Sequence, residues 1–242
     1  MKNSNESHVF RLFGAKEGGG WHLSDEECFQ ALKVLRLKEH DIIEVGDGYG
    51  SWCLGKIFDI RGKGFKVDVL EEHHVERYQP WANLCLGALK PQALKECLPQ
   101  LVELGFDHLH LFWQEGTAHQ RISDKLSLKL KKIAVEAFKV SKGAYLPEIS
   151  LHGTITEMME ALDSTQGDRL ICLPSGEKGL GHDPFGSEVT VAVGGEIGFR
   201  DREIELFHEF GFTSVHLGAG ILRAKTAAAC ALSIIRAGRK EG

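Results

Sequence analysis

Three apolar stretches in the last third of the chain each run directly into a turn of small residues. They read CLPSGEKG, VGGEIGF and LGAGILRAKTA, and they begin at Cys172, Val193 and Leu217. Glycine-rich turns let the backbone approach a ligand closely and present N–H and C=O groups to it. Such groups can recognise the edge of a nucleobase, with apolar side chains around it. The turns therefore favour a nucleoside with an uncharged linkage over a polyphosphate.

The elements that carry these turns form an alternating pattern of strands and helices from about Trp81 onward. Five short apolar segments are predicted strands: NLCLGAL, HLHLFW, RLICLP, VTVAVG and SVHLG. Uninterrupted apolar strands are typical of a parallel sheet that is buried on both faces. Three ordinary tight turns would give similar sequences. Their succession at the carboxyl ends of neighbouring strands favours a ligand site.

The first part of the chain, from about residue 8 to 72, has a different pattern of predicted elements. Short strand-like runs alternate with glycine turns such as KEGGGW and GDGYGS, and one helical stretch, SDEECFQALKVLRL, interrupts them. Ser24 or Asp25 can cap this helix. The pattern predicts a small β-barrel with one helix, followed by a polar linker, EEHHVERYQP. We therefore expect two domains, at residues 1–74 and 75–242.

Two helical segments of the second domain have distinct faces. In KLSLKLKKIAVEAFKV an apolar stripe recurs at spacings of three and four residues, and it comprises Leu126, Leu130, Ile133, Ala137 and Val140. The last segment, ILRAKTAAACALSIIRAG, is apolar around much of its surface, which predicts burial against the sheet or another subunit. Pro99 lies inside the helical stretch QALKECLPQLVELG and predicts a kink or a restart there.

Bulk composition excludes several classes of protein. The chain has 242 residues and a net charge of −5, with 43% hydrophobic and 26% charged residues. Its longest apolar runs are far too short to cross a membrane, and its amino terminus lacks the apolar core of a signal peptide. The six cysteines form no C-x-x-C pair. We expect a soluble cytoplasmic protein without a membrane association, a zinc ribbon or disulfides.

One segment reverses the overall acidic charge. Between Arg121 and Lys142 seven basic side chains stand against two acidic ones, so the segment carries a charge of +5. Concentrated positive charge attracts phosphate backbones through counterion release. A solvated helix face would have the same composition, and on charge alone it is the favoured interpretation.

Several catalytic motifs are missing from the sequence. GHDPFGSE has the spacing of a phosphate loop but lacks its lysine, and GGEIGF does not match a dinucleotide-binding fingerprint. The histidines form no H-E-x-x-H metal motif, and no G-x-S-x-G nucleophile elbow is present. The glycine-rich strand ends remain as the candidate site.

These strand ends lie within longer motifs that resemble a known family. VAVGGEIGFRDREIELFHEFGFTSVHLGAGILRAKTAAACAL is similar to the carboxyl-terminal signature of the RsmE-type SPOUT methyltransferases. LKVLRLKEHDIIEVGDGYG resembles the amino-terminal PUA-like barrel of that family. QLVELGFDHLHLF and KIAVEAFKVSKGAYLPEI resemble its middle region. The motifs occur in order over most of the chain.

The resemblance implies a fold and an activity. It implies an α/β SPOUT domain with a carboxyl-terminal deep trefoil knot, a small PUA-like β-barrel that binds RNA, and a homodimer formed through the SPOUT domain. Family members methylate N3 of a uridine in 16S ribosomal RNA of the small ribosomal subunit, and the methyl donor is S-adenosylmethionine. The protein would then take part in rRNA processing and ribosome biogenesis.

The resemblance also assigns residues. The cofactor-binding positions that it implies are Leu173, Gly194, Gly198, Leu217, Gly218, Ile221, Leu222 and Thr226. Arg223 and Glu196 are the charged catalytic candidates near the transferred methyl group. The RNA-binding candidates, from the barrel motif and the basic segment, are Arg36, Lys129, Lys132, Lys139 and Lys142. No metal is implied.

Several positions differ from the family pattern, among them five that bear on the activity. Gly195 stands where the family has proline, Ile197 where it has the first glycine of a closing pair, and Lys225 where it has glutamate. In the middle region Val140 and Gly143 take the places of a glutamine and an arginine. The alternative hypothesis is therefore a divergent homologue that binds RNA or cofactor without methylating uridine, or that acts on a changed RNA substrate.

Overall fold

The chain divides into two compact units in the structure, a computed structural model that describes residues 9–114, 123–162 and 166–238. One unit comprises Met1–Arg77 together with Phe138–Leu146, and the other comprises Tyr78–Ala137 together with Pro147–Gly242. The first division lies close to the predicted boundary after residue 74. The membership of Phe138–Leu146 in the first unit has no counterpart in the sequence prediction.

The first unit contains a five-stranded sheet in the order β2-β1-β3-β4-β5. Its strands are β1 (Phe10–Glu17), β2 (Gly20–Leu23), β3 (Ile42–Gly46), β4 (Ser51–Arg61) and β5 (Gly64–His74). β1 pairs parallel with β3, and the other neighbours are antiparallel. The indole of Trp21 on β2 donates a 3.0 Å hydrogen bond to Glu72 on β5. This bond joins the two edge strands, as the predicted barrel requires.

The helical interruption of the barrel begins as predicted. The Ser24 hydroxyl accepts a 3.2 Å hydrogen bond from the Glu27 amide and caps α1 (Asp25–Phe29), which continues as a π-helix over Gln30–Val34. The linker prediction is partly wrong, because the first four residues of EEHHVERYQP extend β5 to His74.

Two buried glutamates, one on α1 and one on β3, connect the segment Phe138–Leu146 to the rest of its unit. Lys139 Nζ lies 2.7 Å from Glu27, and Lys142 Nζ lies 2.8 Å from Glu44. Glu44 also pairs with Arg11 at 2.9 Å. These pairs supply charges that neutralise two carboxylates in the interior of the barrel, where an unpaired charge is costly.

The second unit is built on a seven-stranded sheet in the order β10-β12-β9-β11-β6-β7-β8. Its strands are β6 (Trp81–Gly87), β7 (His108–Phe112), β8 (Glu148–His152), β9 (Asp168–Cys172), β10 (Lys178–Gly179), β11 (Glu188–Val193) and β12 (Thr213–His216). Every neighbouring pair is parallel. The five predicted strands are confirmed; β8 and β10 are additional.

Helices flank this sheet along the chain: α2 (Pro91–Leu104), α3 (Asp124–Ser141), α4 (Ile155–Ala161), α5 (Asp201–Glu209) and α6 (Ala224–Ala237). The predicted restart at Pro99 is wrong, because α2 runs unbroken through it. Val140 was predicted on the apolar stripe of α3 but is 76% exposed, whereas Phe138 is buried. None of the described helices is long and apolar enough to span a bilayer.

The packing of α6 explains part of its apolar character. The helix contacts α2, β6 and β11, and its buried side chains are Ala227, Ala228, Ala231, Leu232 and Ile235. Near its end, Arg236 donates 2.9 Å to Asp107 and 2.8 Å to the Pro80 carbonyl. The apolar face is therefore used within the protomer, as one of the two predicted alternatives requires.

Candidate active site

The three glycine-rich turns lie side by side because β12, β9 and β11 are neighbours and run in the same direction. Their carboxyl ends meet at one edge of the second unit and enclose a cavity of about 770 Å³. Drug-sized ligands occupy pockets of this size. The predicted convergence of the three strand ends on one site is confirmed.

Most of the residues predicted to bind a cofactor line this cavity. The lining includes seven of the eight, namely Leu173, Gly194, Gly198, Leu217, Gly218, Ile221 and Leu222, and both catalytic candidates, Glu196 and Arg223. Thr226 is the exception: it lies in the first turn of α6, is exposed, and is not part of the lining. The roles of these residues stay predictions.

Glycine backbone borders open space at several points of the lining. A Cβ atom added to Gly198, Gly218 or Gly220 would meet no protein atom within 4 Å. Gly198 and Gly218 also have φ angles of +70° and +133°, which disfavour residues with a side chain. The cavity therefore presents bare peptide groups to a ligand, and these groups fit the nucleoside part of S-adenosylmethionine.

The turn between β11 and α5 accommodates Ile197 without strain. The Gly198 amide donates a 3.1 Å hydrogen bond to the Gly195 carbonyl, which closes a four-residue turn. The positive φ falls on Gly198, and Ile197 is not among the residues with positive φ. The β-branched side chain therefore occupies a position that does not need a glycine.

Glu196 is held by Lys90, which also lines the cavity. Lys90 Nζ lies 3.1 Å from one carboxylate oxygen of Glu196, and the Lys90 amide donates 3.3 Å to the other. The hydrogen bond from the Lys90 side chain lowers the pKa of Glu196 below its ordinary value. Glu196 is therefore ionised at neutral pH and is a weak proton acceptor.

Arg223 lines the cavity and makes no ion pair with an acidic side chain among the described residues. It precedes α6 as its N-cap residue, and its side chain is exposed. Lys225, which follows it, lies 3.7 Å from Glu96 of α2. Three cations and one carboxylate line the cavity, so its charge favours an anionic substrate.

Cys172 also lines the cavity but is not a nucleophile. Burial raises the pKa of its thiol to about 12, so the thiol stays protonated at neutral pH. The described residues contain no cluster of His, Cys, Asp and Glu side chains suited to a metal ion.

The predicted RNA-binding residues fall into two groups. Arg36, Lys129 and Lys132 are exposed, and Lys142 is partly exposed while paired with Glu44. Lys139 is a correction: it is 6% exposed, and its Nζ donates to Glu27 and Gln30. Because this ammonium group is buried in the barrel unit, it is not available to a phosphate. Arg121, at the start of the basic segment, lies outside the described residues.

Three residues were not predicted from the sequence, although two of them contact the turn that borders the cavity and the third adds to the positive charge outside it. Lys90 and Gln114 follow β6 and β7, the next strands in the sheet after β11, so the same argument from strand ends would have found them. Lys95 of α2 lies beside Lys129, and a side-chain hydrogen bond with Lys95, reinforced by charge repulsion, lowers the pKa of Lys129. The lysines of α3 in the sequence do not indicate that a lysine of α2 lies beside one of them.

Comparison with known protein families agrees with this arrangement. The model of an RNA methyltransferase domain matches residues 77–236, and the model of an RNA methyltransferase PUA domain matches residues 31–70. The chain belongs to the RNA methyltransferase family.

Individual relatives of this family extend over most of the chain. A ribosomal RNA small subunit methyltransferase E from Synechocystis is 28% identical over 221 residues, covering 89% of this chain and 72% of the relative. A protein of the same name from Mesomycoplasma hyopneumoniae is 27% identical over 223 residues, which cover 91% of this chain and 96% of the relative.

Solved structures share the fold of this RNA methyltransferase chain. A ribosomal RNA small subunit methyltransferase E from Neisseria gonorrhoeae, bound to S-adenosylmethionine, superposes with a TM-score of 0.82 at 22% identity, covering 95% of this chain and 98% of the other. A Legionella pneumophila protein in complex with the same cofactor gives 0.84 at 22% identity, covering 95% and 97%. The expected SPOUT-type α/β domain and PUA-like domain are confirmed.

Proposed function

We propose that the protein transfers a methyl group from S-adenosylmethionine to N3 of a uridine in 16S ribosomal RNA, in the cytoplasm. The proposal combines its membership of the RNA methyltransferase family with its similarity to ribosomal RNA small subunit methyltransferases E, and the uridine target is the one that the RsmE-type motifs imply. The observation that carries it is that three glycine-rich strand ends border the same cavity, with Arg223 and Glu196 among its lining residues.

The cavity fits the cofactor that the family implies. Bare backbone at Gly198, Gly218 and Gly220 can hold an adenine edge, and Leu173 and Leu217 can cover its faces. When bound, S-adenosylmethionine supplies an electrophilic methyl group attached to a sulfonium. The protein's own contribution is to orient the target base and to stabilise the charge that develops on it.

Arg223 is suited to the charge that N3 methylation creates. Loss of the N3 proton leaves negative charge shared with the two ring oxygens of uracil. A guanidinium with free donors can bind that charge, and such preorganised donors act most strongly as the charge develops. Glu196 contributes less as a base because Lys90 holds its pKa low. We assign the larger catalytic effect to Arg223.

Basic side chains outside the cavity would hold the RNA backbone. Lys129 and Lys132 are exposed on α3, Lys95 approaches Lys129, and Arg36 is exposed in the PUA-like unit. Neutralising phosphates with these cations releases counterions and makes binding salt-dependent. The small ribosomal subunit or its 16S RNA is the proposed partner, and a homodimer through the SPOUT domain is the proposed assembly.

The function is tested in two steps. Calorimetric titration with S-adenosylmethionine measures cofactor binding. Incubation with labelled cofactor and small subunits measures transfer, and reverse transcription locates the product because an N3 methyl group blocks base pairing. Saturable binding with one strong stop at a uridine is expected. Failure to bind S-adenosylmethionine at millimolar concentration would contradict the proposal.

One observation favours the alternative of a divergent homologue. Lys225 lines the cavity where the family pattern has glutamate, so the site carries an additional positive charge. Cofactor binding without methyl transfer to any small-subunit uridine would favour this alternative. Transfer to another RNA would indicate a changed substrate. Size-exclusion chromatography with light scattering tests the dimer separately.

A further inference from the structure

Gln114 connects both ends of the turn that carries Glu196 and Ile197. The residue is only 2% exposed. The Oε1 atom accepts a 2.8 Å hydrogen bond from the Gly195 amide, and the Nε2 atom donates a 2.8 Å hydrogen bond to the Gly198 carbonyl. One amide group therefore binds the first and last residues of the turn at the same time.

The orientation of this amide follows from its partners. An N–H of Gly195 needs an acceptor, and the carbonyl of Gly198 needs a donor. If Oε1 and Nε2 were exchanged, the amide nitrogen would face the Gly195 N–H, a second donor, and the amide oxygen would face the Gly198 carbonyl, a second acceptor. The second Nε2 hydrogen also has a partner, because Nε2 lies 2.8 Å from Glu203 Oε2. The contacts are thus mutually consistent.

Glu203 extends the connection to the next helix. It is 7% exposed, lies in the first turn of α5, and its Oε2 also accepts a 2.9 Å hydrogen bond from the Arg200 amide. The turn from Gly195 to Gly198 and the start of α5 therefore share one buried polar network. Glu203 Oε1 is buried without a hydrogen-bond partner among the described residues, so the geometry of the turn rests on the contacts of Gln114 and of Glu203 Oε2.

The space around Gly195 is closed to a larger residue. A Cβ atom there would lie 2.8 Å from Gln114 Oε1 and 3.1 Å from the Ala88 carbonyl oxygen. A proline at 195 would in addition remove the N–H that Gln114 accepts, and its ring would occupy the place of that hydrogen bond. A glutamine at 114 and a proline at 195 are therefore mutually exclusive in this geometry.

We propose that Gln114 is a positioning residue that sets the Gly195–Gly198 turn, supplying through its side-chain amide the restraint that a proline at position 195 would otherwise give. This inference rests on the proposed function, because the turn borders the proposed cofactor cavity. It accounts for the glycine at position 195: the position is coupled to Gln114.

The first test measures the turn directly and needs no activity. Hydrogen exchange, followed by NMR on the native full-length protein, should show a protected Gly195 amide. In Gln114→Ala that protection should be lost, while the amides of β11 stay protected. Gln100→Ala removes an exposed glutamine on α2 and serves as the matched control. A Gly195 amide that exchanges equally in the native protein and in Gln114→Ala would overturn the proposal.

The second test measures the coupling between the two residues. Gln114→Ala should weaken S-adenosylmethionine binding by about 5-fold or more, since a lost buried hydrogen bond is worth roughly 1 kcal/mol or more and 1.4 kcal/mol is tenfold. Gly195→Pro should weaken binding strongly in the native background and much less in the Gln114→Ala background. Additive effects of the two substitutions would contradict the proposal.

A near-isosteric variant covers the case in which Gln114→Ala does not fold. Gln114→Met keeps the length of the side chain but removes both the acceptor for Gly195 and the donors to Gly198 and Glu203. The Gly195 amide should lose its protection, and KM for S-adenosylmethionine should rise more than kcat falls. Unchanged binding in this variant would refute the positioning role. A native protein that protects Gly195 but does not bind the cofactor would refute the proposed function alone.

Discussion

Lys139 Nζ lies 2.7 Å from a carboxylate oxygen of Glu27, and both side chains are more than nine-tenths buried. Removing one member of a buried pair leaves the other charge without compensation and typically costs about 3–5 kcal/mol. We therefore expect Lys139→Ala to lower the free energy of unfolding of the barrel unit by an amount of this order. Urea unfolding followed by hydrogen exchange at β3 and β4 measures it.

Lys131→Ala is the matched control for this prediction, because Lys131 is exposed on the same helix. It should leave barrel stability unchanged. If Lys139→Ala were equally stable and instead weakened RNA binding, the assignment of Lys139 to the interior would be wrong.

Arg223→Ala should lower kcat for methyl transfer by about 10²–10³-fold, the effect typical of losing one preorganised donor to a developing anion. The affinity for S-adenosylmethionine should change little, because backbone groups form most of the cavity wall. Arg202→Ala, an exposed arginine on α5, is the control. Transfer at the native rate in Arg223→Ala would remove this residue from the mechanism.

Lys90→Ala should change the pH dependence of the reaction. Lys90 lowers the pKa of Glu196, so Glu196 stays ionised into the acidic range. Without Lys90 the pKa rises toward its ordinary value, and Glu196 becomes protonated at a higher pH. The acidic limb of the kcat/KM profile should therefore move to higher pH. An unmoved limb would mean that ionised Glu196 is not needed for transfer.

A stack of three histidines on β7 and β8 predicts acid sensitivity. The rings of His108 and His110 lie 3.8 Å apart, and His110 Nδ1 lies 3.1 Å from His152 Nε2. Burial lowers the pKa of all three, and that of His110 falls to about 3; Glu148 and Glu157 oppose the shift at His108 and His152.

The direction of the pH effect on stability follows from the difference between the folded and unfolded pKa values of these histidines. An unfolded histidine titrates near pH 6.5, above its value in the folded protein, so the stability is complete above about pH 6.5 and is lost as pH falls toward 3. Each histidine contributes a slope of at most about 1.4 kcal/mol per pH unit. Urea unfolding between pH 7.5 and 5 should show the loss. His110→Gln should flatten it, whereas exposed His208→Gln should not.

RNA binding by Lys129 is tested through its salt dependence. If Lys129 contacts a phosphate, Lys129→Ala should reduce the slope of log K against log salt by about 0.7–0.9. Lys95→Ala should give a similar reduction. Lys178→Ala, an exposed lysine paired with Asp183, is the control. A slope that is unchanged in the Lys129 and Lys95 variants would place the RNA elsewhere.

The sequence predicts the sheet and the cavity because both depend on local patterns. Apolar strands that end in glycine identify β9, β11 and β12, and parallel pairing brings their ends together. Family motifs add Glu196 and Arg223. Short or polar strands such as β8 and β10 carry no such pattern and were not predicted.

Long-range polar contacts could not be predicted, for a physical reason. Gln114 binds Gly195 across 81 positions of the sequence, and Lys139 binds Glu27 across 112. Helical periodicity places Lys139 off the apolar stripe of α3 and says nothing about a buried carboxylate on another element. Only the folded chain distinguishes a lysine that faces water from one that completes an interior pair.

The segment Phe138–Leu146 also constrains the order in which the protein can fold during synthesis. All five barrel strands have been translated once residue 74 is added, but at that point Glu27 still lacks Lys139, and Glu44 has Arg11 but not yet Lys142. The two lysines are translated only after β6, α2 and β7 of the other unit. The amino-terminal unit begins first and is completed only after the carboxyl-terminal unit is under way.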